Sequence, residues 1–425
     1  MNAAAPSLDC STDRTAAPGS LTEVPFYRPD LGEAEIDEVV ATLRGGWLTT
    51  GPRVQRFEEL FREAVGARHA VAVNSCTAAL HLALEALGTG PEHTVLVPTL
   101  TFAATAEVVR YQGAFPLLVD CDEHTLNLDL AHADAQCARW LGRRDRAGRA
   151  VPERVAGVVP VHVGGSMLDL DAVAALAARH DAWVVEDAAH AFPAAWRRGP
   201  HARWQRCGEA TSAVTCFSFY ANKTITTGEG GMAVTDDAVL AERIRRMSLH
   251  GLTLGAVNRY ATSGRPDYEI TAPGFKYNLT DLAAALGIHQ VARAEAMRVR
   301  RERIARELLH AWADLDEIEL PAVVPDRISS WHLFPIRLRL DQLDVDRDAI
   351  LAELKSRGVG CSVHWKPLHL HAYYRDTYGW RPEDFPVATA AWRRLVSVPI
   401  FSAMRDHEIE HVVETVAQVC RRHAR

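Results

Sequence analysis

Residues 70–120, AVAVNSCTAALHLALEALGTGPEHTVLVPTLTFAATAEVVRYQGAFPLLVD, set short β-branched runs against longer helical patches. AVAV (70–73) leads into a helix beginning near Thr77, VLVP (95–98) into another over 103–109, and PLLVD (116–120) marks a third strand. Parallel neighbours in a sheet need a crossover long enough to hold a helix, so this alternation predicts a mostly parallel sheet covered on both faces. It continues through GVVPVH (157–162), the helix DLDAVAALAARH (169–180), WVVEDA (183–188), AVTCFSF (213–219) and GGMAVT (230–235). The predicted class is α/β, with ligands expected beyond the carboxyl ends of the strands. Further on, an amphipathic Arg- and Glu-rich segment (280–314) leads into a strand in HLFPIRLRL (332–340), a helix ending on Gly358, and a terminal helix over 406–423. The expected organisation is a loose tail (1–24), a large domain (25–290), and a linking helix with a smaller α+β C-terminal domain (291–425).

With 425 residues, 48% of them hydrophobic, the chain can bury the cores of one large and one smaller domain. A net charge of −7 with scattered basic residues argues against a nucleic-acid surface and against polybasic membrane binding. The Arg-rich stretch WLGRRDRAGRAVPERV (140–155) reads as a solvated insertion. Eight cysteines without a CxxC pair exclude a structural zinc motif and a disulfide framework, and read as reduced thiols of a cytoplasmic protein. Asp9, Asp13 and Arg14 interrupt any signal-peptide core, and no apolar run approaches the roughly 18 residues of a membrane span. No metal site is expected.

Three strand-end segments carry candidate chemistry. In FSFYANKTITTGEGGM (217–232), Lys223 follows an apolar run and precedes hydroxyls and glycines, where partial desolvation would free its amine as a nucleophile. Taken alone it reads more readily as a surface lysine in a Gly-rich turn. In VVEDAAHA (184–191), Asp187 could keep a pyridinium nitrogen protonated and His190 could lie near the ring, or they are a helix cap and a core histidine. NSCTAALHLAL (74–84) opens a helix with Ser75, Cys76 and Thr77, a phosphate cradle or an ordinary N-cap. Ser218 offers another hydroxyl, and Phe102 an aromatic face for a flat ring.

Together with GGWLTTGPRVQRFEELF (45–61) and GFKYNLTDLAAALGIHQ (274–290), these motifs resemble the DegT/DnrJ/EryC1/StrS sugar aminotransferases, pyridoxal-phosphate enzymes of fold type I, from about Pro25 to the last helix. The resemblance implies that Lys223 is the Schiff-base lysine and that Asp187 partners the pyridine nitrogen. It places His190 near the ring, Cys76, Thr77 and Ser218 at the phosphate, and Phe102 stacked on the ring. Asn278 would reach the phosphate of a neighbouring subunit, implying a homodimer with shared active sites. HWKPLH (364–369) resembles a segment near the sugar, with His364 as a substrate contact. The implied reaction moves an amino group from L-glutamate, through pyridoxamine phosphate, to a nucleotide-linked keto-deoxysugar. HGLTLGAVNRY (250–260) and GFKYNLTD lean toward amination at C4; a C3-ketosugar or ketocyclitol acceptor, or a non-catalytic regulatory protein of this fold, are the alternatives. Sugar dehydratases of the same fold resemble members in which histidine replaces the lysine, so Lys223 counts against that activity. HVGGSMLDLD (162–171) lacks an aromatic and a Pro that relatives often carry, and GPHARWQRCGE (199–209) has extra residues.

Overall fold

The computed structural model describes residues 22–209, 212–253 and 268–425. Its strands are β1 (His69–Val73), β2 (His93–Pro98), β3 (Phe115–Val119), β4 (Arg154–Val158), β5 (Trp183–Asp187), β6 (Ala195–Trp196), β7 (Gln205–Arg206), β8 (Val214–Ser218), β9 (Gly231–Thr235), β10 (Ile318–Glu319), β11 (Arg327–Ile328), β12 (Phe334–Leu338) and β13 (Leu395–Val398). Seven form the main sheet in the order β1-β9-β8-β5-β4-β2-β3. Only β9 runs against the others, pairing antiparallel with both β1 and β8. β2 and β3 are buried at every position, which is why they read as unbroken apolar runs rather than as alternation.

The fourth strand sits earlier than GVVPVH suggests. It ends at Val158, because Pro160 has no N–H to donate to a central ladder. The Pro160 carbonyl instead accepts from the Asp187 amide at 2.9 Å, and His162 N–H donates to the Asp187 carbonyl at 3.2 Å. The irregular segment after β4 thereby clamps the end of β5, where the main candidate carboxylate stands.

The helix Asp281–Ala311 serves two cores. Ala284, Ala294 and Met297 join a cluster with Val54, Phe57 and Phe61 of the helix Pro52–Val65. Ile304, Leu308 and Trp312, spaced by one helical turn, belong instead to a second core with β12, β13 and the helix Asp406–Arg422. The Asp281 carboxylate also accepts from the amides of Arg53 (3.2 Å) and Val54 (3.0 Å), capping the neighbouring helix.

Two expectations change. The Arg-rich insertion is more than a solvated loop: most of residues 142–150 are exposed, but Trp140, Asp145 and Val151 are buried, and a bridge joins Arg144 to Ala150. Arg146 grips Asp384 with two bonds (3.2 and 2.7 Å), Arg149 lies 4.8 Å over the Tyr378 ring, and Trp140 meets Trp380 edge-on at 5.7 Å. Arginine combines an apolar stem with a planar fork, so a stretch that looks solvated by charge can clasp a partner of acid and aromatics. The expected tail falls mostly on residues 1–21, outside the described residues, but its last member, Val24, is buried and pairs with Val359 in parallel. Seven cysteines among the described residues are free thiols, and no helix there is long and apolar enough to cross a membrane.

Glu408 ties the chain's two ends together. Its buried carboxylate accepts from Arg28 at 2.7 and 3.3 Å, from the Arg405 amide at 2.8 Å and from the Arg405 guanidinium at 3.0 Å. Burial raises its pKa, but the hydrogen bonds from Arg28 and Arg405 outweigh this and bring it from 4.5 to about 2. A depressed folded-state pKa stabilises above the unfolded value, and that contribution drains away as pH falls from about 4.5 toward 2. In thermal melts, Glu408→Gln is therefore expected to melt below the parent at neutral pH, with the gap closing as pH drops below 4.5. A gap independent of pH would show that the charge is not what stabilises the contact.

Candidate active site

Strand ends of the main sheet converge on a cavity of about 450 Å³. At the end of β1, Ser75 caps the helix Cys76–Ala86, its hydroxyl accepting from Ala78 N–H at 3.1 Å. The Cys76 and Thr77 amides open that helix and have no intrahelical acceptor, leaving them to serve an anion. This turn rests on β9 at Gly231: a Cβ there would lie 2.4–2.5 Å from the Ser75 and Cys76 backbone, so only glycine lets strand and cradle meet. Burial first, then the charges of Asp187 and Cys216, push the Cys76 thiol well above its usual value, keeping it protonated.

Asp187 ends β5 as a buried carboxylate. Its oxygens accept from the Thr105 hydroxyl at 2.8 Å and the Ala189 amide at 3.2 Å, and Thr105 bonds in turn to Thr101 at 2.8 Å. Burial raises its pKa, while the Thr105 and Ala189 hydrogen bonds and the nearby Lys223 pull the other way.

After β8 the chain turns through Tyr220 and Asn222 to Lys223. Threonine hydroxyls shape this loop: Thr226 Oγ1 donates to the Phe219 carbonyl at 3.0 Å and accepts from Gly228 N–H at 2.9 Å. Gln290 of the long helix accepts from Thr226 N–H at 3.2 Å. The TITTG run is thus the scaffold that presents the lysine. Desolvation pulls the Lys223 pKa from 10.5 to about 8, against the opposing pull of Cys76 and Asp187, so at pH 7 about a tenth of the amine is unprotonated, far more than for a free lysine.

Lys223, Asp187, His190, Cys76, Thr77, Phe102, Ser218 and His364 all line this one cavity. Phe102 does so while 62% exposed. His364 bonds through Nδ1 to Ser397 Oγ at 3.0 Å and stacks on Phe26 at 5.3 Å; the other histidine of that segment, His369, is buried between Thr99 (2.8 Å) and Thr389 (2.9 Å). Asn278 lies outside the cavity of its own chain and is not a helix cap, a part taken by Thr280. Its side chain donates to Thr50 Oγ1 at 2.7 Å and accepts from Lys276. Residues 254–260, part of the segment behind the C4 expectation, lie outside the described residues.

The structure adds residues that the sequence did not signal: Thr101, Thr105, Trp365 and His332. Thr101 and Thr105 stand four positions apart across the start of the helix Ala104–Tyr111, and nothing local links them to Asp187. Trp365 stacks on His190 at 5.1 Å, and the His332 ring lies tilted against it at 4.2 Å, both from chain far removed in sequence. Behind β5, His162, Glu186 and Cys207 place ligand atoms within 4.8 Å of one another. His162 Nδ1 accepts from Leu168 N–H (3.3 Å), so Nε2 carries the proton and donates it to Glu186 at 2.7 Å, which makes this a buried hydrogen-bonded pair rather than a vacant ligand set.

A family model for the DegT/DnrJ/EryC1/StrS aminotransferases matches residues 29–417. The chain belongs to that family. The aminotransferase is 42% identical over 397 residues to the spore coat polysaccharide biosynthesis protein SpsC of Bacillus subtilis, covering 93% of this chain and 97% of SpsC. Spr1654 of Streptococcus pneumoniae, solved in its PMP form, superposes with a TM-score of 0.82 at 29% identity over 94% of this chain and 99% of that one. The sugar aminotransferase CalS13 of Micromonospora echinospora does so with a TM-score of 0.77 at 27% identity, covering 93% and 99%. The first of these folds has also been solved in a PLP form.

Proposed function

We propose that this aminotransferase binds pyridoxal phosphate in the cavity and moves an amino group from L-glutamate to the keto carbon of a nucleotide-linked deoxysugar, at C4. One observation carries the reading: a buried carboxylate, a depressed lysine amine and a helix-opening turn line a single cavity in a chain of this family. The cavity suits the cofactor. His190 Nδ1 and Asn222 Oδ1 are buried there without hydrogen-bond partners, and the Gly231 contact keeps the cradle turn in place.

Lys223 would hold the cofactor, Asp187 its ring nitrogen, and the Cys76 and Thr77 amides with Ser218 its phosphate, while His190 and Phe102 flank the ring. Bound there, pyridoxal phosphate supplies an electron-withdrawing ring that takes up the electron pair left when the donor's α-carbon loses its proton. Lys223, freed by the donor and partly unprotonated near neutrality, removes that proton and returns one when the keto sugar is aminated. Thr105 holds one oxygen of Asp187, leaving its charge directed by a fixed hydrogen bond. His364 faces the sugar. Asn278, turned away from its own cavity, serves the phosphate of a second copy in a homodimer. The names of SpsC and CalS13, proteins of polysaccharide and sugar chemistry, support the substrate class.

The test is a panel of nucleotide-linked 4-keto and 3-keto sugars and ketocyclitols, each with L-glutamate or L-glutamine as donor. Amination of 4-ketosugars with glutamate is the expected result. Turnover of ketocyclitols alone would overturn the sugar assignment, and turnover of 3-ketosugars alone would move the site of amination.

A further inference from the structure

His332 reaches the cavity from the far side of the molecule's sequence, 109 positions beyond Lys223, with its Nε2 3.4 Å from the Lys223 amine. Its position is built by several independent contacts. Trp331 sits in the left-handed region at φ 48, where a bulky side chain is strained, and buried Arg301 holds that turn by donating to the carbonyls of Trp331 (3.2 Å) and Ile400 (2.8 Å). Ser330 donates to the His190 carbonyl, while Ser330 N–H and Leu333 N–H donate to Gly165 (3.2 Å) and Gly164 (3.3 Å). Gly165, at φ 95, is needed for this: a Cβ would stand 1.9 Å from Ser330 Oγ and 2.8 Å from the His190 carbonyl oxygen. A strained turn fixed from three sides, with a buried ring at its tip aimed at an amine, is the arrangement of a site rather than of a loop.

We propose that His332 is a positioning residue for Lys223: Nε2 accepts a hydrogen from the freed amine and holds Nζ toward the donor's α-carbon. The inference rests on the reading of Lys223 given above. Burial, reinforced by His190, Lys223, Arg301 and His364, pushes the His332 pKa well below 6.5, so the ring stays neutral and acts as an acceptor, not as the base. Cys76, Asp187, His190, His332 and His364 feel the charge of the amine, Tyr220 and Glu229 also line the cavity, and the hydrogen bond that Nζ makes is to His332. A freed lysine that swings away from the reacting carbon loses rate steeply, about 100-fold for a misplacement of roughly 1 Å.

Three variants separate this role from packing. The amide of Gln reaches the place of Nε2, that of Asn reaches only the place of Nδ1, and Phe keeps the ring volume against His190 with no acceptor. In the cofactor-loaded full chain, the rate at which L-glutamate bleaches the visible band should fall by about 30-fold or more in His332→Phe and His332→Asn, with His332→Gln within about fivefold of the parent. The second readout needs no cofactor. The chain has only four lysines, at 223, 276, 355 and 366, so isotope-labelled lysine side chains can be followed by NMR, with Lys223 assigned by its loss in Lys223→Ala. Its midpoint is expected near pH 8 in the parent and lower in Phe and Asn, where the ammonium has lost its acceptor. Equal slowing in all three variants, or no slowing and no shift in any, would overturn the inference. If the Phe variant does not fold, the Gln and Asn pair still decides it. A parent chain with no Lys223-dependent band would instead overturn the reading beneath, and the inference with it.

Discussion

Lys223→Ala is expected to abolish the visible band of bound pyridoxal phosphate that bleaches with L-glutamate, and to lower amino transfer by about 10⁴-fold or more. The loss is large because one amine both holds the cofactor and moves the proton, and nothing nearby replaces it. Lys276 is exposed and bonded to Asn278, and Lys366 lies 5.9 Å over the Trp392 ring. Lys355 sits in the helix Arg347–Ser356, and none of these three lines the cavity. Stability should not suffer, since the change removes an amine that burial already disfavours in its charged form. Spectra recorded before and after glutamate, beside the parent, decide the matter. A variant that keeps the bleaching band would end the assignment of Lys223.

Asp187→Asn is the second large effect. The amide keeps the shape of the carboxylate and its oxygen can still accept from Thr105, so the substitution removes the charge and, at the other position, the acceptor of the Ala189 amide. A pair of unit charges about 4 Å apart is worth about 4 kcal/mol at an effective dielectric of 20. If that interaction is present in full only when the ring draws electrons, its loss costs about 10³-fold in rate. Because burial raises the pKa of this carboxylate, removing its charge offsets the lost Ala189 bond, and the variant should stay folded with a melting temperature close to that of the parent, which separates a chemical defect from an unfolded protein. Single-turnover bleaching rates in the loaded protein measure the effect. A drop smaller than about tenfold would mean that Asp187 does not act on the ring nitrogen.

Much of this protein is legible along the chain because the local signals are physical. Parallel strands buried on both faces must be apolar runs, so AVAV, VLVP and PLLVD stand out; a helix must end its orphan amides somewhere, so Ser75 before an Ala- and Leu-rich stretch marks the start of the cradle. Lys223, Asp187 and Cys76 are visible for the same reason: each stands at or within a few residues of the carboxyl end of a strand, and strands β1, β5 and β8 run the same way, so these ends share one edge of the sheet. The errors are equally instructive. GVVPVH looked like one strand because periodicity does not weigh the missing N–H of Pro160. The Arg-rich insertion looked solvated because charge alone does not reveal that Asp384, Tyr378 and Trp380, over 200 residues away, are waiting for it.

What the sequence determined by itself is therefore the set of elements and the chemistry at their near ends, since backbone hydrogen bonding and burial act over a few residues at a time. What only the tertiary structure decided is the company those groups keep: Thr105 under Asp187, Trp365 against His190, and His332 beside the Lys223 amine. Those contacts join segments separated by 82 to 175 positions, and no local pattern marks them, because their energy comes from desolvation and packing that exist only once the chain has folded.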